Sequence, residues 1–300
     1  MNLTRFQPRR AGFFLGLLLA ATLMLNVACS PKVRDETKRK PESRDMRGEI
    51  VGLSVERKIL FVHHEEIPDY MPEMTMEFTI GEADISSFKE GQLIAARMID
   101  AGSGEFRLEG IRVIDQAKDS AVDTAAKKLR EDTFIRGKHA YREIGEAIPT
   151  FVLYNQDGVV VSAGQFRGQR VVINFIFTRC PVATMCPAAT ARMIELQRRA
   201  RDKGVEGVRL VSISLDPDYD TPAVLKAYGA ARGADFSNFD FLTGPEMAIR
   251  SLLAQFGVLA QPSESIWKHT LATVLIDRDG RIIHRVDGSS WDPEDFLKRL

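Results

Sequence analysis

Net charge is the first thing this sequence lacks: 41 lysines and arginines face 41 aspartates and glutamates. A chain that neutralises phosphates usually carries a basic excess, so nothing in this balance points to nucleic acid, and no nucleic-acid partner is expected. No internal repeat recurs along the 300 residues, which excludes repeat architectures. Acidic residues are missing entirely before Asp35. Cysteine is scarce: Cys29, Cys180 and Cys186 are the full set, and histidine occurs five times. Any thiol or metal chemistry must therefore be built from a handful of nameable side chains.

The acid-free opening carries Arg5, Arg9 and Arg10, then an apolar stretch from Ala11 to Val27 interrupted by Asn26. A positive start, an apolar centre and small residues at the end make residues 1–28 a secretory signal. The end, Val27-Ala28-Cys29-Ser30, resembles a bacterial lipoprotein cleavage box with Cys29 as the lipidated first residue, although Asn26 stands where that box usually has leucine. An uncleaved N-terminal anchor is the other reading, because the run is near the shortest length that spans a bilayer. Both place the rest of the chain outside the cytoplasm, held at a membrane. Cleavage also removes three arginines and no acid, leaving 38 basic against 41 acidic residues. The exported part then has two thiols in a compartment where disulfides persist.

About 270 residues exceeds a comfortable single core and implies two domains. Residues 29–45 are charged and proline-punctuated, as a solvated tether should be. From 46 to 115 short β-type runs (among them Glu49 to Val55, Lys58 to His63, Gln92 to Ile99 and Glu105 to Ile114) alternate with turn signals, so a small all-β barrel of five or so strands is expected. Residues 116–140 are polar and read as a linker with a helical centre. Residues 141–300 alternate strands and helices around the buried-strand run Val171 to Phe177 and end in a hairpin about Asp277-Arg278-Asp279-Gly280. A strand, a cysteine loop and a helix followed by further β/α units describe an α/β, thioredoxin-like sheet.

In HHEEIPDYMPEMTMEF, residues 63–78, three methionines fall within six positions. Met74 and Met76 are two apart, so on a strand both sulfurs share a face. Thioethers are soft, neutral donors that suit Cu(I) and survive where thiolates oxidise. Methionine also fills core gaps, but a Met-x-Met pair beside a third methionine and a histidine pair favours metal. The stretch resembles the CusF-type periplasmic copper-binding domain, an OB-like five-stranded barrel. Placing His63 eight residues before Met71-Pro72-Glu73-Met74-Thr75-Met76 matches that family's spacing. The resemblance implies His63, Met74 and Met76 as Cu(I) ligands, with His64 a neighbour. Met71 stands where the family has a tryptophan over the metal; it either adds a third thioether or leaves the site more open to exchange.

FTRCPVATMCPAAT, residues 177–190, sets Cys180 and Cys186 at a strand-to-helix turn. A structural disulfide, a redox pair and a metal site compete. A bridge gains most by closing a long loop, and this one is short. A helix N-terminus lowers a thiol's pKa, which serves exchange and metal binding alike. A third ligand separates the last two, and His139, His269 and His284 are the histidines in this half. His269 precedes a strand expected beside the central one. Two thiolates and an imidazole accommodate Cu(I) or Cu(II).

Together, NFIFTRCP, the second Cys-Pro, SLDPDYDTP (214–222), FLTGPE (241–246), FGV (256–258) and KHTLATVLIDRDGRI resemble the Sco/SenC family, membrane-tethered copper proteins of cytochrome c oxidase assembly. The resemblance implies Cys180, Cys186 and His269 as copper ligands. Two departures stand out: five residues separate the cysteines where the family usually has three, and Lys268 replaces an acidic residue before the histidine. Asp216 and Asp218 are candidate sources of negative charge, and Met185 is expected to pack under the loop.

The expected protein is a membrane-anchored, exported metallochaperone. It would deliver copper to the dinuclear copper-site subunit of cytochrome c oxidase, or keep that subunit's thiols reduced, and would itself draw on a thiol–disulfide reductant. One rival is a thiol–disulfide oxidoreductase or peroxidase using Cys180 and Cys186 without metal. The other is copper sequestration for resistance.

Overall fold

A computed structural model describes residues 42–100, 104–137, 140–263 and 266–300, with backbone alone for 262, 263 and 266–268. Cys29, the signal and most of the tether lie outside the described residues, as does His139.

Five strands form the first body: β1 (Glu42–Ser54), β2 (Ile59–His64), β3 (Met74–Ile80), β4 (Leu93–Asp100) and β5 (Phe106–Val113). They close into a barrel in the order β1-β2-β3-β5-β4, with β1 pairing back to β4. Only β3 and β5 run parallel. Alternation drives this ring: Leu60, Val62 and His64 on β2 are buried, while Phe61 and His63 are not. Phe78 and Ile80 on β3, Ile94, Ala96 and Met98 on β4, and Leu108 and Ile111 on β5 complete the interior. The barrel begins four residues earlier than the β-type composition suggests. Glu42 to Asp45, read as tether, pair with Asp100 to Arg97.

The segment read as a linker is a 21-residue helix, α1 (Gln116–Arg136), capped by Asp115. Its Ala126 and Leu129 enter the core of the second body. Gln255 donates to Asp132 and Thr133 on the helix at 2.8 Å each, and Tyr154 donates to Asp119 at 2.5 Å. The helical centre expected there extends over most of the segment, and its seat in the second core did not show in the composition because few of its side chains are buried.

The second body is a five-stranded sheet in the order β10 (Phe239–Leu242), β9 (Val208–Ser214), β8 (Arg170–Ile176), β13 (Ala272–Ile276) and β14 (Ile282–Asp287). Strands β8, β9 and β10 are parallel, and β13 and β14 are antiparallel. Helices α2 (Cys186–Asp202), α3 (Pro222–Ala231), α4 (Glu246–Gln255) and α5 (Pro293–Leu297) accompany them. Two small antiparallel pairs, β6 (Val152–Tyr154) with β7 (Val160–Ser162) and β11 (Ala260–Ser263) with β12 (Ile266–His269), complete the set. This is the thioredoxin-like arrangement. Strand β8 is central and buried on both faces from Val171 to Ile176, which is why its sequence is a continuous apolar run. Its C-terminal end delivers the cysteine loop, and the antiparallel neighbour β13 brings the chain from His269 alongside.

Candidate metal centres

The chain leaves β8 at Phe177, turns through Pro181 to Met185, and enters α2 at Cys186. Cys186 is the first residue of that helix, with Pro187 in its first turn. The Cys180 N–H donates to the Phe177 carbonyl at 3.3 Å, and Ser289 donates to the Thr184 carbonyl at 2.6 Å, which pins the loop at both ends. The longer spacing does not separate the sulfurs. Cys180 Sγ, Cys186 Sγ and a His269 ring nitrogen all lie within 4.8 Å of one another. Cys186 Sγ sits 3.4 Å from His269 Nε2.

His269 Nδ1 lies 2.9 Å from the Thr270 carbonyl. A carbonyl only accepts, so Nδ1 carries the proton and Nε2 presents its lone pair to the sulfurs. The ring packs edge-on against Phe177, with centroids 5.4 Å apart. Burial pushes its pKa down, outweighing the hydrogen bond to Thr270, so the neutral form needed by a ligand is favoured. Cys180 is half-buried and Cys186 fully buried, both as free thiols. At Cys186 burial pushes the thiol pKa well up, despite a Phe177 N–H directed at the sulfur. The helix-N-terminus expectation of a lowered pKa is thus overridden there, because desolvating an anion costs more than a helix end returns. Binding a soft cation at this centre must displace the Cys186 proton.

His284 lies elsewhere, 2.9 Å from Asp295 and packed on Phe296. Met185 packs against the core. The side chain of Lys268 is outside the described residues. Asp216, a candidate for negative charge, is buried and engaged by Arg179 at 2.7 Å, while Asp218 is exposed. A second carboxylate that reaches the cysteine loop is Asp220, which the sequence motif contained but did not single out. It is fully buried, accepts from the Thr178 N–H at 3.1 Å and from Ser214 Oγ at 2.5 Å, and accepts from the Thr178 hydroxyl. Burial pushes its pKa up to about 7 against those hydrogen bonds.

In the barrel, cross-strand register decides which histidine meets the methionines. His64 pairs with Met74 and Val62 with Met76, whereas His63 pairs with Thr75. Directly paired residues share a face, so Met74 and Met76 lie on the His64 side. His63, expected as the imidazole donor, projects from the opposite face. Its Nδ1 is 3.1 Å from Thr75 Oγ1 and its Nε2 is 2.9 Å from Glu73 Oε1. His64, expected as a mere neighbour, is completely buried. Its Nδ1 donates to the Glu65 carbonyl at 2.8 Å, and its Nε2 is buried with no hydrogen-bond partner. That is the same device seen at His269: one nitrogen fixed by the next residue's carbonyl, the other left as a lone pair. Met74 is exposed, and Met76 and Met71 pack against the barrel core. Gly48 permits the arrangement, since a Cβ there would stand 2.6 Å from the His63 carbonyl oxygen.

Residues 140–300, more than half of the chain, match the SCO1/SenC family model. The chain belongs to the SCO1/SenC family. Residues 43–113 match the model of the copper binding periplasmic protein CusF. The SCO1 protein homolog of Bacillus subtilis (strain 168) is 34% identical over 157 residues, 50% of this chain and 78% of its own length. The crystal structure of a SCO1/SenC family lipoprotein from Bacillus anthracis str. Ames is 32% identical with a TM-score of 0.49, covering 53% of this chain and 96% of that one. The thiol-disulfide oxidoreductase ResA of Bacillus thuringiensis subsp. konkukian is 27% identical over 165 residues, 54% of this chain and 82% of its own length. Within this SCO1/SenC chain, no helix among the described residues is long and apolar enough to cross a membrane.

Proposed function

We propose that the chain is an exported copper metallochaperone, held at a membrane by lipid on Cys29, with copper as its cargo at two centres. Cys180, Cys186 and His269 form one, holding Cu(I) or Cu(II). His64, Met74 and Met76 form the other, holding Cu(I), with Met71 beside them. The observation that carries this reading is the convergence of two thiols and a neutral imidazole lone pair within 4.8 Å, on a chain whose barrel presents a second soft donor set. Both sets suit monovalent copper and neither suits a hard cation. The family match supports delivery to the dinuclear copper site of cytochrome c oxidase, or reduction of its thiols by the Cys180–Cys186 pair.

Anaerobic Cu(I) titration of the reduced chain from Ser30 onward tests it, with two equivalents expected. Uptake of no more than one, retained in Cys186→Ser, would remove copper from the cysteine centre. Anchoring is checked separately: Cys29→Ser expressed with its signal should move from the membrane to the soluble fraction, and unchanged partitioning would favour an uncleaved anchor.

A second reading has an observation behind it. The match to a thiol-disulfide oxidoreductase, and a half-buried thiol beside a buried one, fit a nucleophile and its resolving partner. That enzyme would retain disulfide turnover in His269→Ala without metal.

A further inference from the structure

The loop between β9 and α3, Leu215 to Thr221, has two faces with different neighbours. One face holds the cysteine loop. Asp220 accepts from the backbone and hydroxyl of Thr178, and Asp216 pairs with Arg179, the residue before Cys180. The other face holds the barrel. Tyr219 packs against the barrel core, and Ala223 and Val224, at the start of α3, are buried within it. The Asp84 N–H donates to the Ala223 carbonyl at 2.9 Å. Gly110 of β5 sits at φ +61°, where a Cβ would stand 3.0 Å from the Asp218 carbonyl oxygen. Leu225 and Tyr228, further along α3, face the thioredoxin-like core instead.

Tyr219 connects the two faces. Its ring lies under the Arg179 guanidinium, 3.9 Å from centroid to Cζ, while its body packs on the barrel. Arg179 is itself exposed, so this stack and the Asp216 pair are what hold it. We propose that Tyr219 is a positioning residue, and that docking of the barrel on α3 orders the Thr178–Cys180 segment and thereby strengthens the Cys180–Cys186–His269 centre. This rests on the reading of that centre as a copper and thiol site. Its physical basis is preorganisation. Both copper chelation and disulfide closure must fix the half-buried Cys180 against the buried Cys186, and a segment already held loses less freedom in doing so. Coupling is reciprocal, so copper at the cysteines would in turn tighten the barrel's seat.

The test measures two constants on the full chain and on its variants. One is Cu(I) affinity at the cysteine centre by chelator competition, in a Met74→Leu background. The other is the equilibrium in which the two thiols and glutathione disulfide give the Cys180–Cys186 disulfide and two glutathione thiols. Val224→Asp, or Val224→Ser if the former does not fold, unseats the barrel without touching Arg179. Exchange of the Asp84 amide reports the unseating. Both constants should fall by roughly fivefold or more, the lower end of common coupling factors, in the Val224 variant and in Tyr219→Ala, with Tyr219→Phe near the parent. An effect in Tyr219→Ala but none in an unseated Val224 variant would confine the ring to a local role and overturn the barrel's part. No effect in either would overturn the proposal altogether. A parent that binds no copper and forms no disulfide at these cysteines would instead sink the reading of the centre, and the proposal with it.

Discussion

Replacing His64 by alanine should strip Cu(I) from the barrel, while replacing His63 should leave it bound. The motif spacing argues the reverse, so the experiment divides two explicit assignments. The case for His64 is register: it pairs with Met74, and Val62 with Met76, so the imidazole and both thioethers lie on one side of the β2–β3 ribbon. His63 has both ring nitrogens occupied on the other side, by Thr75 and Glu73. A buried imidazole nitrogen with no partner is costly unless something is meant to occupy it, and His64 Nε2 is such an atom. Losing an outer-shell partner of a metal ligand typically costs about 10–100-fold in affinity, and losing one of three ligands should cost more. Competition titration in a Cys186→Ser background reads the barrel alone. Copper retained in His64→Ala and lost in His63→Ala would return the site to the outer face.

The second large effect belongs to the cysteine centre. Cys186→Ser should lower the stoichiometry from two coppers to one and abolish the intramolecular disulfide, because one buried sulfur serves both. His269→Ala should separate these roles. It removes the lone pair 3.4 Å from Cys186 Sγ, so copper affinity falls, yet both thiols remain and can still close. Thiol counting and Cu(I) competition on the same samples check this. Copper binding undiminished in His269→Ala would mean that the two thiolates hold the metal without the imidazole. Cys186→Ser also replaces a fully buried core side chain, so a thermal melt must accompany it.

Much of this was legible along the chain. Strand β8 announces itself because a strand buried on both faces needs an unbroken apolar run. The alternation of strands and helices expected over residues 141–300 is present, from β8 through the β13–β14 hairpin that turns at Asp277 to Gly280. The three side chains that the fold brings within 4.8 Å, Cys180, Cys186 and His269, could be named from residue type and motif order, and the sulfur pair on one strand face from a two-residue spacing. These are local properties, and the strand and helix periods read them directly.

What the chain could not settle is whatever depends on a neighbour. A one-residue choice between His63 and His64 reverses the face of the sheet, and only the pairing of β2 with β3 decides it, because the loop between them can change length without leaving a trace in either strand's pattern. The Cys186 thiol sits where a helix end should lower its pKa, yet burial raises it, and burial is a property of the assembled core. Helix α1 looked like a polar linker since two side chains suffice to seat it in the second core. The division of α3, with Val224 toward the barrel and Leu225 toward the thioredoxin-like sheet, arises only where two bodies meet. Residue chemistry and spacing determined that this protein carries soft-metal donors at two places; tertiary packing decided which side chains face one another there, since faces, burial and partners exist only once separate segments are brought together.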